Sequence, residues 1–73
     1  MSVSYTRLMY LLIDRNITNA QLMREANISA NIIAKIKNGR YISLEKIENI
    51  CVALDCTPND ILEFVTGEEN NNG

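Results

Sequence analysis

Apolar residues recur along this chain mostly at intervals of three and four, with one proline and three glycines to interrupt them, a period that belongs to helices. The helix starts are marked in a repeated way. At five places a Ser or Thr follows an apolar residue and is followed four positions later by another: Val3-Ser4 with Leu8, Ile17-Thr18 with Leu22, Ile28-Ser29 with Ile33, Ile42-Ser43 with Ile47, and Cys56-Thr57 with Ile61. In each, the hydroxyl can accept from an otherwise unpaired backbone N–H of the first turn, and the flanking apolar pair clamps the entry of the chain. Thr18 adds Gln21 at the capping-box position; Thr57 has Pro58 at the first helical position and Asp60 in the box place. The pattern predicts helices over 4–15, 18–26, 29–38, 43–54 and 57–65, joined by short connections, as an all-α, compact five-helix bundle. One domain over 1–65 accounts for the apolar residues, and the polar, acidic "TGEENNNG" at 66–73 is expected to be a disordered tail.

The second and third helices are joined unusually tightly, with only Asn27 and Ile28 before the cap Ser29. Such a reversal needs a left-handed backbone residue, and Asn27 is the non-glycine type best suited to it. The result is two helices at a steep angle, a helix-turn-helix.

With these elements in place, "ITNAQLMREANISANIIAKIKNGRYISLEKIENICVALDCTPNDIL" resembles the Cro/phage-repressor type of helix-turn-helix DNA-binding domain, the XRE family, whose fold is of the lambda-repressor-like type. The likeness rests on Thr18 opening the first motif helix, Leu22 within it, Ile28-Ser29 after the turn, Ile33 and Ile36 in the second helix, Asn38-Gly39, and Ser43-Leu44-Glu45 opening the next. The segment "ALDCTPNDIL" resembles the family's closing segment. Three departures stand out. Met23 occupies a place where the family usually has alanine, with Ala26 nearby to return some volume; Asn27 replaces glycine; and no proline follows Asn38-Gly39, so the "RYI" loop is expected to be looser.

On a helix starting at Ser29, 100° per residue places Ile28, Ile32, Ile33 and Ile36 on one broad side and Ala30, Asn31, Ala34, Lys35 and Asn38 on the other. Ile32 leans towards the core, although its place in family members often faces DNA. The resemblance implies that the polar side enters the major groove of double-stranded DNA. Asn31 suits an adenine edge, Lys35 suits guanine acceptors or a phosphate, and Ala30 and Ala34 permit close approach and contact with thymine methyls. Phosphate contacts are expected from Asn19 in the first turn of the second helix, from Ser29, and from Lys37, Asn38, Arg40 and Tyr41 around the far end of the recognition helix, with the ring of Tyr41 equally suited to capping the core. Taken without the resemblance, the same Lys and Asn residues form an ordinary solvated helix face.

A formal net charge of −2 would by itself speak against a nucleic-acid partner. Its distribution changes the picture. Up to Arg40 the chain carries Arg7, Arg15, Arg24, Lys35, Lys37 and Arg40 against Asp14 and Glu25, and beyond it Lys46 stands against seven acidic residues, a split of +4 and −6. One face for an anionic partner and another kept away from it is the physical reading. The acidic second half also keeps open a reading from another class, a protein-binding module of the same fold, antitoxin-like or a partner of another repressor, with weak or no DNA binding.

Family members usually pair on two half-sites, so a sequence-specific regulator of transcription, a repressor, is expected to act as a homodimer. Ile61, Leu62, Phe64 and Val65 on the fifth helix offer more apolar surface than one side of a short helix needs, and are the candidate dimer interface. An enzyme is not expected. Histidine is absent, no metal cluster or glycine-rich phosphate loop is present, and no cofactor is called for. Cys51 and Cys56 have neither zinc nor redox spacing and read as core thiols. The start "MSVSYTR" holds no basic segment ahead of a long apolar run and no span suits a membrane, so a cytoplasmic protein is expected.

Overall fold

The computed structural model describes residues 2–66. Four α-helices, α1 (Thr6–Asp14), α2 (Asn19–Ala26), α3 (Ala30–Lys37) and α4 (Leu44–Leu54), are followed by a 3₁₀ turn at Pro58–Asp60. Two short strands flank them, β1 (Ser2–Ser4) and β2 (Glu63–Val65), paired antiparallel with Ser2 opposite Val65, Val3 opposite Phe64 and Ser4 opposite Glu63. The tail anticipated over 66–73 lies outside the described residues except for Thr66.

Three of the five anticipated starts are capped as their sequence requires. Thr18 accepts from the Gln21 N–H at 3.1 Å while the Gln21 side chain accepts from the Thr18 N–H at 2.9 Å. Ser29 and Ser43 accept from the N–H groups of Ile32 and Lys46, both at 3.3 Å.

The helix ends are just as regular. Asn16, Asn27, Gly39 and Asp55 all sit in the left-handed region, with φ of 59°, 55°, 67° and 54°. After each, the next N–H turns back onto the last helical turn: Ile17 to the Leu12 carbonyl, Ile28 to Met23, Arg40 to Lys35 and Cys56 to Cys51, at 2.8 to 3.0 Å. Carbonyls that would otherwise lack partners are thereby satisfied.

The first and last anticipated helices differ. The α1 helix begins at Thr6 after an uncapped Tyr5, not at Ser4, whose hydroxyl lies 3.0 Å from that of Thr6. Val3 and Tyr5 are buried, so the chain enters α1 as a strand with these two residues turned inward. The fifth helix is absent. Asp60 accepts from the Thr57 N–H at 3.0 Å and from its hydroxyl at 3.1 Å, closing a single 3₁₀ turn. Of the anticipated span 57–65, only Ile61 to Val65 follow this turn, too few to sustain a helix by themselves. Pairing Glu63–Val65 with β1 satisfies the backbone instead. Four helices and a two-stranded sheet therefore replace the five-helix bundle.

The core is aliphatic, as the composition requires. Leu8 and Leu12 of α1, Leu22 and Ala26 of α2, Ile33 and Ile36 of α3, and Ile47, Ile50, Cys51 and Leu54 of α4 meet at its centre. Ile28 in the turn and Ile61 behind the 3₁₀ turn complete it, while Met23 and Ile32 are half-buried at its margin. Ile61 is 0% exposed and has no surface to give a second subunit; this corrects its place in the anticipated dimer interface. Leu62 is half-buried against the core, and Phe64 and Val65 are exposed, on a strand and not on a helix. Cys51 and Cys56 are unpaired thiols. Burial, together with the neighbouring Cys51 thiol, pushes Cys56 up to about 11, which leaves it protonated and unreactive near neutrality.

Candidate nucleic-acid interface

The α2 helix ends at the left-handed Asn27, and α3 begins at the Ser29 cap, so the turn between them is held by backbone geometry and one hydroxyl. Burial of Ile28, Ile33 and Ile36 fixes how α3 rolls on the rest of the molecule. Its polar side must then point away. Ala30, Asn31, Ala34 and Lys35 are all exposed, as are Lys37, Asn38, Arg40 and Tyr41 beyond them.

Six of the residues expected to meet DNA line one open hollow of about 450 Å³: Asn31, Ala34, Lys35, Asn38, Arg40 and Tyr41. Ala30 is exposed one position before Asn31, and Asn19 is exposed in the first turn of α2; neither lines the hollow. Ser29 is exposed, with its hydroxyl engaged as the α3 cap. Lys37 lines a separate hollow with Ser2, Val3, Gly39 and Val65, where the two strands meet the end of α3.

The cations divide into two groups. Arg7 pairs with Glu63 at 3.3 Å and donates to the Asn59 carbonyl, while Arg15 donates to the carbonyl of Leu54 at the end of α4. Both fasten α1 to the last third of the chain. By contrast Arg24, Lys35, Lys37, Arg40 and Lys46 form no ion pair among the described residues, and of these Lys35, Lys37 and Arg40 lie together in α3 and just beyond its end, where their charge is available to an anion outside the protein.

Sequence reasoning missed Tyr5. This residue is 4% exposed, and its hydroxyl donates to the Arg40 carbonyl at 2.7 Å across 35 positions of chain. Burial pushes its hydroxyl above the ordinary tyrosine value, and a backbone hydrogen bond from Ile42 partly offsets this. The loop expected to be loose for want of a proline is thus tied down from behind. No periodic or capping signal marks Tyr5, because the group it holds lies far away in sequence.

An amphipathic helix held by a tight two-residue turn, with its small and polar side open and unpaired cations at its end, defines a helix-turn-helix domain of the nucleic-acid-binding kind. A family model of the Cro/C1-type HTH DNA-binding domain matches residues 7–67, and the chain belongs to that family. It is 34% identical over 61 residues to YozG, an uncharacterized HTH-type transcriptional regulator of Bacillus subtilis (strain 168), a match covering 81% of this chain and 73% of that one. Among solved structures it is similar to the transcriptional regulator VanUg, with a TM-score of 0.81 at 35% identity, over 85% of this chain and 83% of the other. No described helix is long and apolar enough to cross a membrane.

Proposed function

We propose that this protein is a cytoplasmic, sequence-specific transcriptional regulator that reads double-stranded DNA in the major groove with α3 and represses by occupying its operator. The observation that carries this reading is the shared hollow of Asn31, Ala34, Lys35, Asn38, Arg40 and Tyr41 on the open side of α3. A helix about 10–12 Å across fits a groove about 12 Å wide, and Ala30 and Ala34 let it settle deeply. Asn31 then bonds an adenine edge and Lys35 reaches guanine acceptors. Asn19, Ser29, Lys37, Asn38, Arg40 and Tyr41 hold the backbone on either side.

Phosphate anchoring is tested by salt. Affinity for an operator selected from random DNA should fall steeply as salt rises, and Arg40→Ala should weaken operator and random duplex alike, reducing the log–log salt slope by about 1. A flat response would remove the phosphate contacts. Tight capture of a protein with no duplex bound would favour the protein-binding reading instead.

The α3 helix, at about 1.5 Å per residue, covers only a few base pairs, which favours two copies on two half-sites. We place the contact between them on Leu62, Phe64 and Val65, extended by Tyr41 and Leu44. Tyr41, Leu44, Leu62 and Phe64 leave an apolar surface on one side of the molecule, with Phe64 63% and Leu44 84% exposed, and Val65 lines the neighbouring hollow. Tyr41, Leu44, Leu62 and Phe64 line one hollow of about 300 Å³, and Tyr41 also lines the hollow at α3, so a partner seated there lies beside the DNA-facing side. Sedimentation should show a dimer for the natural chain and a folded monomer for Phe64→Asp, with operator affinity reduced at least tenfold; a natural chain that stays monomeric while bound to DNA would exclude this face.

A further inference from the structure

We infer that Tyr5 is a positioning residue for DNA binding, its hydroxyl holding the loop that carries Arg40 and Tyr41 to the rim of the α3 hollow. The inference rests on the DNA-binding reading above and adds a residue that never touches DNA.

The loop has few other restraints. At Asn38 the helix is over, and Gly39 turns the chain at φ 67°, a conformation most side chains resist. The Arg40 N–H is spent on the Lys35 carbonyl at 2.8 Å, which completes the helix end. Residues 40–43 then run without regular structure to the Ser43 cap of α4. Within this stretch the Arg40 carbonyl accepts the Tyr5 hydroxyl at 2.7 Å. The peptide bond between Arg40 and Tyr41 is therefore gripped on its oxygen, and both exposed side chains leave from it.

The grip is firm because Tyr5 is itself packed in place. It is buried with Val3 against the core, between β1 and α1, and lines the apolar hollow shared with Ile42, Ile47 and Leu62. The same segment also backs the turn at Gly39, where an added Cβ would lie 3.4 Å from the Val3 carbonyl. The N-terminal strand and the residue after it thus form a brace behind the end of the recognition helix. A loop ordered in advance gives up less freedom when it meets a phosphate, which raises affinity without any further contact. The gain belongs to backbone contacts, so it is the same for every DNA sequence.

The test is Tyr5→Phe, which keeps the buried ring and deletes only the hydroxyl. Dissociation constants are measured for a selected operator and for a random duplex, well below the melting temperature of every variant, with the fold checked by circular dichroism. Tyr5→Phe is expected to weaken both duplexes by the same factor, about two- to tenfold, the range for ordering one or two long side chains. In an Arg40→Ala/Tyr41→Ala background the same change should have no further effect, because the groups it places are gone. A folded Tyr5→Phe that binds like the natural chain, or a penalty equal in both backgrounds, would overturn the positioning role. A natural chain that binds neither duplex would instead overturn the DNA-binding reading on which the role depends.

Discussion

Asn31→Ala is expected to flatten the preference among operator sequences at one base pair by about 1–3 kcal/mol, or roughly five- to 150-fold, while affinity for random DNA stays nearly unchanged. Asn31 stands in the first turn of α3 on its open side, with Ala34 and Lys35 one turn further along the same hollow. An amide offers one donor and one acceptor side by side, which matches the adenine edge and no other base. Alanine at this place keeps the helix, since it is the best helix former and Asn31 is exposed. The loss therefore falls on recognition alone. Affinities for duplexes carrying each of the four base pairs at each operator position are the measurement. Equal losses on operator and random DNA would make Asn31 a backbone contact.

The largest effect on stability is expected from Leu22→Ala. Leu22 is 0% exposed, and it stands on α2 where that helix packs against α4. Removing a buried leucine to the β-carbon costs about 2–5 kcal/mol, part transfer and part cavity. A chain of 73 residues buries a small fraction of its surface compared with larger domains, so this is a large share of its total stability. At about 4–8 °C per kcal/mol for a domain of this size, the melting temperature should fall by tens of degrees or the variant should fail to fold. Ile13→Ala, on the exposed side of α1, is the control and should stay within about 0.5 kcal/mol. Equal melting of the two variants would mean that α2 is not seated on α4 through Leu22.

Much of this architecture is legible in local sequence, and the reason is that its signals are local. Thr18 with Gln21, Ser29 and Ser43 each act within four residues, and Asn27 acts on its own φ. Ser4 shows where such signals fail. It carries the same apolar flanks, yet Val3 is drawn into a pairing with Phe64, sixty-one positions away, and no nearby residue announces that partner. Thr57 and Pro58 correctly mark a turn, but they cannot say that it stops after one, because the competing strand β1 lies at the other end of the chain.

The candidate interface divides in the same way. The open side of α3 follows from periodicity, whereas Ile61 could not be sorted by pattern, since a buried residue and one at a subunit contact are equally apolar. Tyr5 was invisible for the reason Ser4 misled: its partner, the Arg40 carbonyl, is a backbone atom that no residue type advertises.

Pairing of Ser2 with Val65 brings the two extremities of the fold to one spot, and Val65 shares a hollow there with Lys37. Bulk introduced at Ser2 or at Val65 therefore lands beside the same lysine, at the edge of the surface proposed to face the duplex. A label is better carried on the exposed outer side of α1, around Tyr10 and Ile13, than on either strand.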